Sequence, residues 1–150
     1  MASTVTSSTL YVTLTESITL NGADHGSKKK ISITGINEVS KRISTVATTP
    51  GTQIYAGSSA NSFGTYVTNN VKYIRITNLD DTNFVVLHLE GNSHYAQLKL
   101  NPGHVLILTD VSSAFDNASA VSSYSAEDIT RIDAMADTAA CDIELFVATS

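Results

Sequence analysis

The chain has no tryptophan, one cysteine and two prolines in 150 residues, and only 15% of its residues are charged. Each scarcity excludes something. A lone Cys141 cannot form an intrachain disulfide, which rules out a disulfide-stapled scaffold and fits a reducing cytosol. It lies in AACDIELF, the setting of a small buried filler, with no nucleophile motif around it. No stretch reaches the ~18 consecutive apolar residues of a membrane-spanning helix. The opening MASTVTSSTL lacks the basic and apolar regions of a secretory leader. Basic residues are outnumbered nine to fourteen, for a net charge of −5. That disfavours nucleic-acid binding, because a domain that draws affinity from phosphates is basic overall.

Catalytic and metal signatures are equally sparse. None of the four histidines, His25, His88, His94 and His104, has a second ligand at a metal-binding spacing, although His88 and His94 flank one turn with Glu90 between them. The segment Asn78–Asn83 offers two carboxylates and two amides but lacks the central glycine and terminal glutamate of a calcium loop. Gly26-Ser27-Lys28 lacks the earlier glycine of a phosphate loop, since position 21 is Asn. No G-x-S-x-G elbow occurs. The residues therefore assign no catalytic group, no metal site and no cofactor.

What the chain does have is strand-forming residues. Serine and threonine make up roughly a quarter of it, well above usual composition, and 42% is hydrophobic. The clearest segment is Val71–Glu90, VKYIRITNLDDTNFVVLHLE. Ile74 and Ile76 share one face against Tyr73, Arg75 and Thr77; Val85, Leu87 and Leu89 alternate with Val86, His88 and Glu90. This period of two marks two strands joined by an Asp/Asn turn.

Other segments follow the same rule. Residues 10–20 place Leu10, Val12, Leu14, Ile18 and Leu20 on one face, and Asn21-Gly22 marks a turn. Residues 21–30, NGADHGSKKK, read as a surface loop, and Gly35 as a bulge or bend. Residues 36–43 fit a twisted strand, with a helix as the rival because positions 36, 39 and 43 are three and four apart. Residues 53–56 suit a short edge strand. Residues 96–100 alternate, and Asn101-Pro102-Gly103 forms a turn. Residues 105–109 are nearly all apolar, as in a strand covered on both faces. Residues 110–128 read as loop, with Phe115, Val121 and Tyr124 as candidate anchors. Residues 131–136 and 142–147 alternate again, with a helix over 127–137 as the rival.

These signals predict an all-β fold. The expected architecture is an antiparallel two-sheet β-sandwich or jelly roll of about eight strands, spanning residues 10–150 as a single domain. Residues 1–9, small and polar, are expected to form an extended N-terminal arm held by a neighbour. Charge is also segregated. Five of the nine basic residues lie between Lys28 and Arg42, whereas residues 110–150 hold eight acids against Arg131. Two readings stay open: separate solvated faces, or complementary patches that set subunit contacts. The candidate partner-binding residues are Ala2, Ser3, Thr4, Val5 and Thr6 of the arm, with Lys28, Lys29 and Lys30.

The runs VKYIRITNLDDTNFVVLHLEG, LKLNPGHVLIL, ISITGINEVSKRISTVATT and ITRIDAMADTAACDIELFVAT resemble small virion structural proteins of tailed bacteriophages, especially phages of marine bacteria. The resemblance implies a jelly-roll or sandwich module that is homo-oligomeric, with a trimer as the expected form. It implies a capsid decoration (cement) protein on the outside of the major capsid protein shell, assembled in the host cytoplasm. A neck, tail or fibre-associated protein is the alternative. A carbohydrate- or receptor-binding sandwich is a further one, with Tyr55, Phe63, Tyr66 and Tyr95 as its candidate aromatic platform. The shared runs mark a fold, so the resemblance carries over no functional residue.

Overall fold

The computed structural model describes residues 4–121 and 123–150. Of the candidate contact residues, Ala2 and Ser3 lie outside that range. The rest of the chain forms two packed β-sheets and a separate two-stranded ribbon.

The ribbon comes first in sequence: β1 (Ser8–Glu16) and β4 (Ser27–Ile36), with β2 (Thr19–Leu20) and β3 (Ala23–Asp24) at its tip. The sandwich strands follow: β5 (Glu38–Val46), β6 (Thr52–Ser58), β7 (Tyr66–Val67), β8 (Val71–Asn78), β9 (Val85–Glu90), β10 (Tyr95–Leu100), β11 (Val105–Leu108), β12 (Arg131–Ala136) and β13 (Cys141–Thr149). One sheet has the order β11-β8-β13-β5, the other β10-β9-β12-β6-β7. All pairings are antiparallel except the short β6–β7 contact.

The all-β expectation holds, and both helical rivals resolve as strands, β5 and β12. The reason lies in the neighbours. Ile132, Ala134 and Ala136 alternate inward to meet Val85, Leu87 and Leu89 across the β9–β12 ladder, a contact no helix could make in that register. The facing sheet contributes Ile74 and Ile76 from β8 and Ile143, Leu145 and Val147 from β13. All of these are buried. Small alanines on β12 sit in the same core as the larger Ile and Leu side chains, so the layers interdigitate.

Several expectations need correction. The segment 21–30 is mostly not a loop: Asn21 and Gly22, both with positive φ, make a two-residue hairpin turn, and Lys28, Lys29 and Lys30 lie within β4. β1 begins at Ser8, so the last two residues assigned to the arm belong to a strand. Gly35, at φ 76°, sits where the β1–β4 register shifts, the bulge its sequence position suggested. β6 gains a short neighbour, β7, and so is not a bare edge. β11 is the edge strand of its sheet and leaves Val105 exposed, so it is not covered along its whole length. In the 110–128 segment Phe115 packs against the core, but Val121 and Tyr124 are exposed; the Tyr124 hydroxyl donates to the Ser113 carbonyl at 2.8 Å.

Asn78 fixes one end of the sandwich. Its buried amide donates to the carbonyls of Asn83 (2.9 Å) and Leu100 (3.2 Å), and its side-chain oxygen accepts from the Asp80 N–H (3.1 Å). The Asp80 carboxylate in turn accepts from the Asn83 and Thr82 N–H groups, which hold its pKa below the usual value. The polar groups of this turn thus fold it onto itself. Asn78→Ala would leave two carbonyls without their donor inside the sandwich. It is expected to cost about 2–4 kcal/mol, read from urea unfolding. A loss well below that range would show that water replaces the amide.

Candidate interaction surface on the projecting ribbon

The β1–β4 register decides which side chains share a face. Leu10 opposes Ile33, Val12 opposes Ile31 and Leu14 opposes Lys29; Tyr11, Thr13 and Thr15 oppose Ser32, Lys30 and Lys28 on the other side. The first face is apolar near the base of the ribbon. There Leu10, Val12 and Ile33 pack against Ile36, Tyr73, Ile107, Phe146 and Ala148, forming a second small core on the outer side of the four-stranded sheet. Tyr73 meets Phe146 edge to face at 5.9 Å. Burial pushes the Tyr73 phenol pKa up, against the lowering effect of Arg75.

Beyond Val12 the ribbon leaves the body. Every residue from Thr13 to Lys30 is exposed, although the strands continue through most of that stretch. Leu14, Ile18 and Leu20 are 43%, 54% and 57% exposed. The tip is ordered by its own hydrogen bonds. The His25 N–H donates to the Ile18 carbonyl at 2.9 Å, the Gly26 N–H to the Asp24 carboxylate at 2.8 Å, and the Ser27 hydroxyl to the Glu16 carboxylate. Gly26 lies so close to the Glu16 carbonyl that a Cβ there would clash. On the side facing away from Leu14, the Lys30 ammonium stands 3.9 Å over the Tyr11 ring.

The candidate contact residues divide between the two ends of this ribbon. Thr4, Val5 and Thr6 are exposed and precede the base, where Ser8 pairs with Ile36. Lys28, Lys29 and Lys30 pair with Thr15, Leu14 and Thr13, five to seven residues further along β1, or roughly 17–24 Å at the rise of an extended strand. The two groups do not form one patch. The apolar residues Leu14, Ile18 and Leu20 are the ones sequence reasoning missed. The Asn21-Gly22 turn between two alternating segments was the available signal, obscured because three consecutive lysines look like a loop.

The ribbon base covers only half of the outer face of its sheet. Further along, Val105, Thr77, Glu144 and Ile43 form one row across β11, β8, β13 and β5, followed by Leu79, Asp142 and Thr45. Ile43, Val105 and Leu79 are 61%, 49% and 47% exposed. Glu144 is engaged by Arg75 and by Lys41, the latter at 3.0 Å. Asp142 accepts from the Thr45 hydroxyl at 2.7 Å. The four loops at this end, residues 47–51, 79–84, 101–104 and 137–140, contain Asp80, Asp81 and Asp137 and no lysine or arginine.

Elsewhere the polar side chains serve loop structure. Glu127 accepts from the Ser93 hydroxyl, the Ser93 N–H (2.9 Å) and the His94 N–H (3.0 Å), clamping the β9–β10 turn onto the 110–128 loop. These bonds, led by the Ser93 hydroxyl, lower its pKa to about 2. His94 also stands 3.8 Å from Asp116. Among the described residues, no group of three or more His, Cys, Asp or Glu side chains is arranged to hold a metal ion. The candidate aromatic platform does not assemble. Tyr55 is buried and stacked on Tyr66 at 5.5 Å, whereas Tyr95 opens from β10, on the opposite edge of that sheet, and Phe63 lies in an exposed loop. Cys141 is buried, as a core filler would be, and desolvation raises its thiol pKa. Among the described residues, no helix is long and apolar enough to cross a membrane.

Compared with protein-family models, curated proteins and solved structures, the chain matches none of them.

Two predictions follow from this geometry. Leu14→Ser and Ile18→Ser, at exposed ribbon positions, should change stability by no more than about 0.5 kcal/mol, while Phe146→Ala, under the ribbon base, should cost about 2–4 kcal/mol. Urea unfolding of the three variants tests the contrast, and equal losses would mean the tip is not free. The Glu127 clamp should be fully present above the ordinary glutamate pKa and lost as pH falls toward 2, because a lowered folded pKa stabilises only the ionised form. Glu127→Gln should flatten that part of the stability profile between pH 5 and 2, measured by thermal melts. An unchanged profile would assign the acid sensitivity to other carboxylates.

Proposed function

We propose that this chain is a non-catalytic assembly protein that holds a neighbouring protein surface with its projecting ribbon. Following the sequence resemblance, we place it as a decoration (cement) protein on the outside of a tailed-phage capsid. There it binds the assembled major capsid protein shell and stabilises it. It would be made in the host cytoplasm, act as a homo-oligomer with the trimer as the working form, and reside on the virion surface.

The observation that carries this reading is the stretch Thr13–Lys30, folded as strand and turn yet exposed along its whole length. A two-stranded hairpin is marginal by itself in water, and three exposed aliphatic side chains at its end favour a covering surface. The strand order lends further support. Among the long sandwich strands, the first pairs with the last (β5 with β13), and the sheets read β5-β13-β8-β11 and β6-β12-β9-β10. We read that winding as a jelly roll, in line with the resemblance. A rigid sandwich rich in Ser and Thr offers many moderate contacts, which suits a cement.

The test is reconstitution. Purified protein added to phage shells lacking it should bind saturably, in a fixed ratio to the capsid protein, and raise the temperature at which shells rupture. Binding at a single vertex in few copies would replace the decoration reading with the neck or tail one. No binding to any part of the particle would overturn the virion assignment.

A further inference from the structure

The ribbon tip and the uncovered half of the outer sheet face have matching chemistry. The tip exposes Leu14, Ile18 and Leu20, with Lys29 on the same face as Leu14 and Lys28 and Lys30 on the other. The uncovered half presents Val105 and Ile43 at its two edges, Thr77 and the ion-paired Glu144 between them, and then Leu79 and Asp142, with Asp81 and Asp137 in the loops beyond. Aliphatic side chains are exposed on both, and Lys29 on the ribbon face has its counterpart in Asp142 on the sheet. The two patches also continue one existing contact. The base of the ribbon already packs on this same sheet face, through Leu10, Val12 and Ile33 against Tyr73, Ile107 and Phe146. Within one chain the contact stops there, because the ribbon departs beyond Val12 and its lysines do not reach the acids.

We infer that the surface gripped by the ribbon tip is the uncovered outer face of the four-stranded sheet on a second copy of this chain. This rests on the assembly reading above and names its partner. The contact is made through the face of the ribbon. Lys28–Lys30 lie along β4, whose free edge they guard against indiscriminate strand pairing. Each copy then gives a ribbon and receives one, so the contact closes a ring, runs on as an open filament, or is exchanged reciprocally in a dimer. Asp142 is the primary anion for Lys29, the lysine on the face of Leu14, because Glu144 is already engaged by Arg75 and Lys41 within its own chain. Association should weaken with salt, as rim charges do.

The experiment uses two full-length variants with substitutions only at exposed positions: K28E/K29E/K30E on the ribbon and I43K/D142K on the receiving face. Urea unfolding establishes that both stay folded. In sedimentation velocity and native mass spectrometry, the unsubstituted chain should self-associate, and each variant alone should do so about ten-fold more weakly or worse. Mixed together, the two variants should associate with one another, since each retains the half that the other lacks. A monomeric unsubstituted chain would overturn the inference, as would association indifferent to both variants or a mixture that stays apart. Shell reconstitution separates this from the parent reading. A monomer that still binds shells through its ribbon keeps the assembly reading and discards the second copy as partner. Self-association without shell binding does the reverse.

Discussion

The structure depends on two central strands that are apolar on both faces. β8 and β13 point Ile74, Ile76, Ile143, Leu145 and Val147 toward the opposite sheet, yet Tyr73, Phe146 and Ala148 point the other way. An antiparallel sheet with one wet face needs only one cover. This one needs two over part of its length. The five-stranded sheet supplies the first, and the ribbon base supplies the second with Leu10, Val12 and Ile33. The ribbon is therefore held by the same strands that centre the core, which gives a projecting element a rigid root.

Where the second cover ends, the character of the surface changes. The ribbon continues as a hairpin of exposed residues tied to one another, and the sheet continues with exposed aliphatic residues and an aspartate. Both halves also carry charge: three lysines on one, several carboxylates on the other. Internal polar groups are arranged differently. Asn78, Asp80 and Glu127 direct their hydrogen bonds to backbone and side-chain groups of neighbouring turns, and so hold loops in place.

Much of the sandwich was legible. Period-two alternation in 71–78, 85–90, 96–100, 131–136 and 142–147 identifies strands and their buried faces, because each face meets either core or water and the pattern records which. Asn21-Gly22 and Asn101-Pro102-Gly103 identified turns through the φ values they tolerate. The interaction surface was half legible. Lys28–Lys30 stood out by charge, but Leu14, Ile18 and Leu20 looked like any buried alternation, since a strand's sequence does not state whether its apolar face is covered.

The amino-acid sequence alone determined that this is a strand-built protein with polar turns, one unpaired thiol and segregated charge. Those properties follow from local backbone preference and composition. Only the tertiary structure decided that β1 and β4 leave the body after Val12 and that the aromatic residues Tyr55 and Tyr95 lie far apart on one sheet. It alone placed the exposed Ile43 and Val105 on the same uncovered part of the sheet as Asp142. The reason is that burial is a property of neighbours distant in the chain: an alternating strand specifies a face, and the packing of the other strands specifies what that face meets.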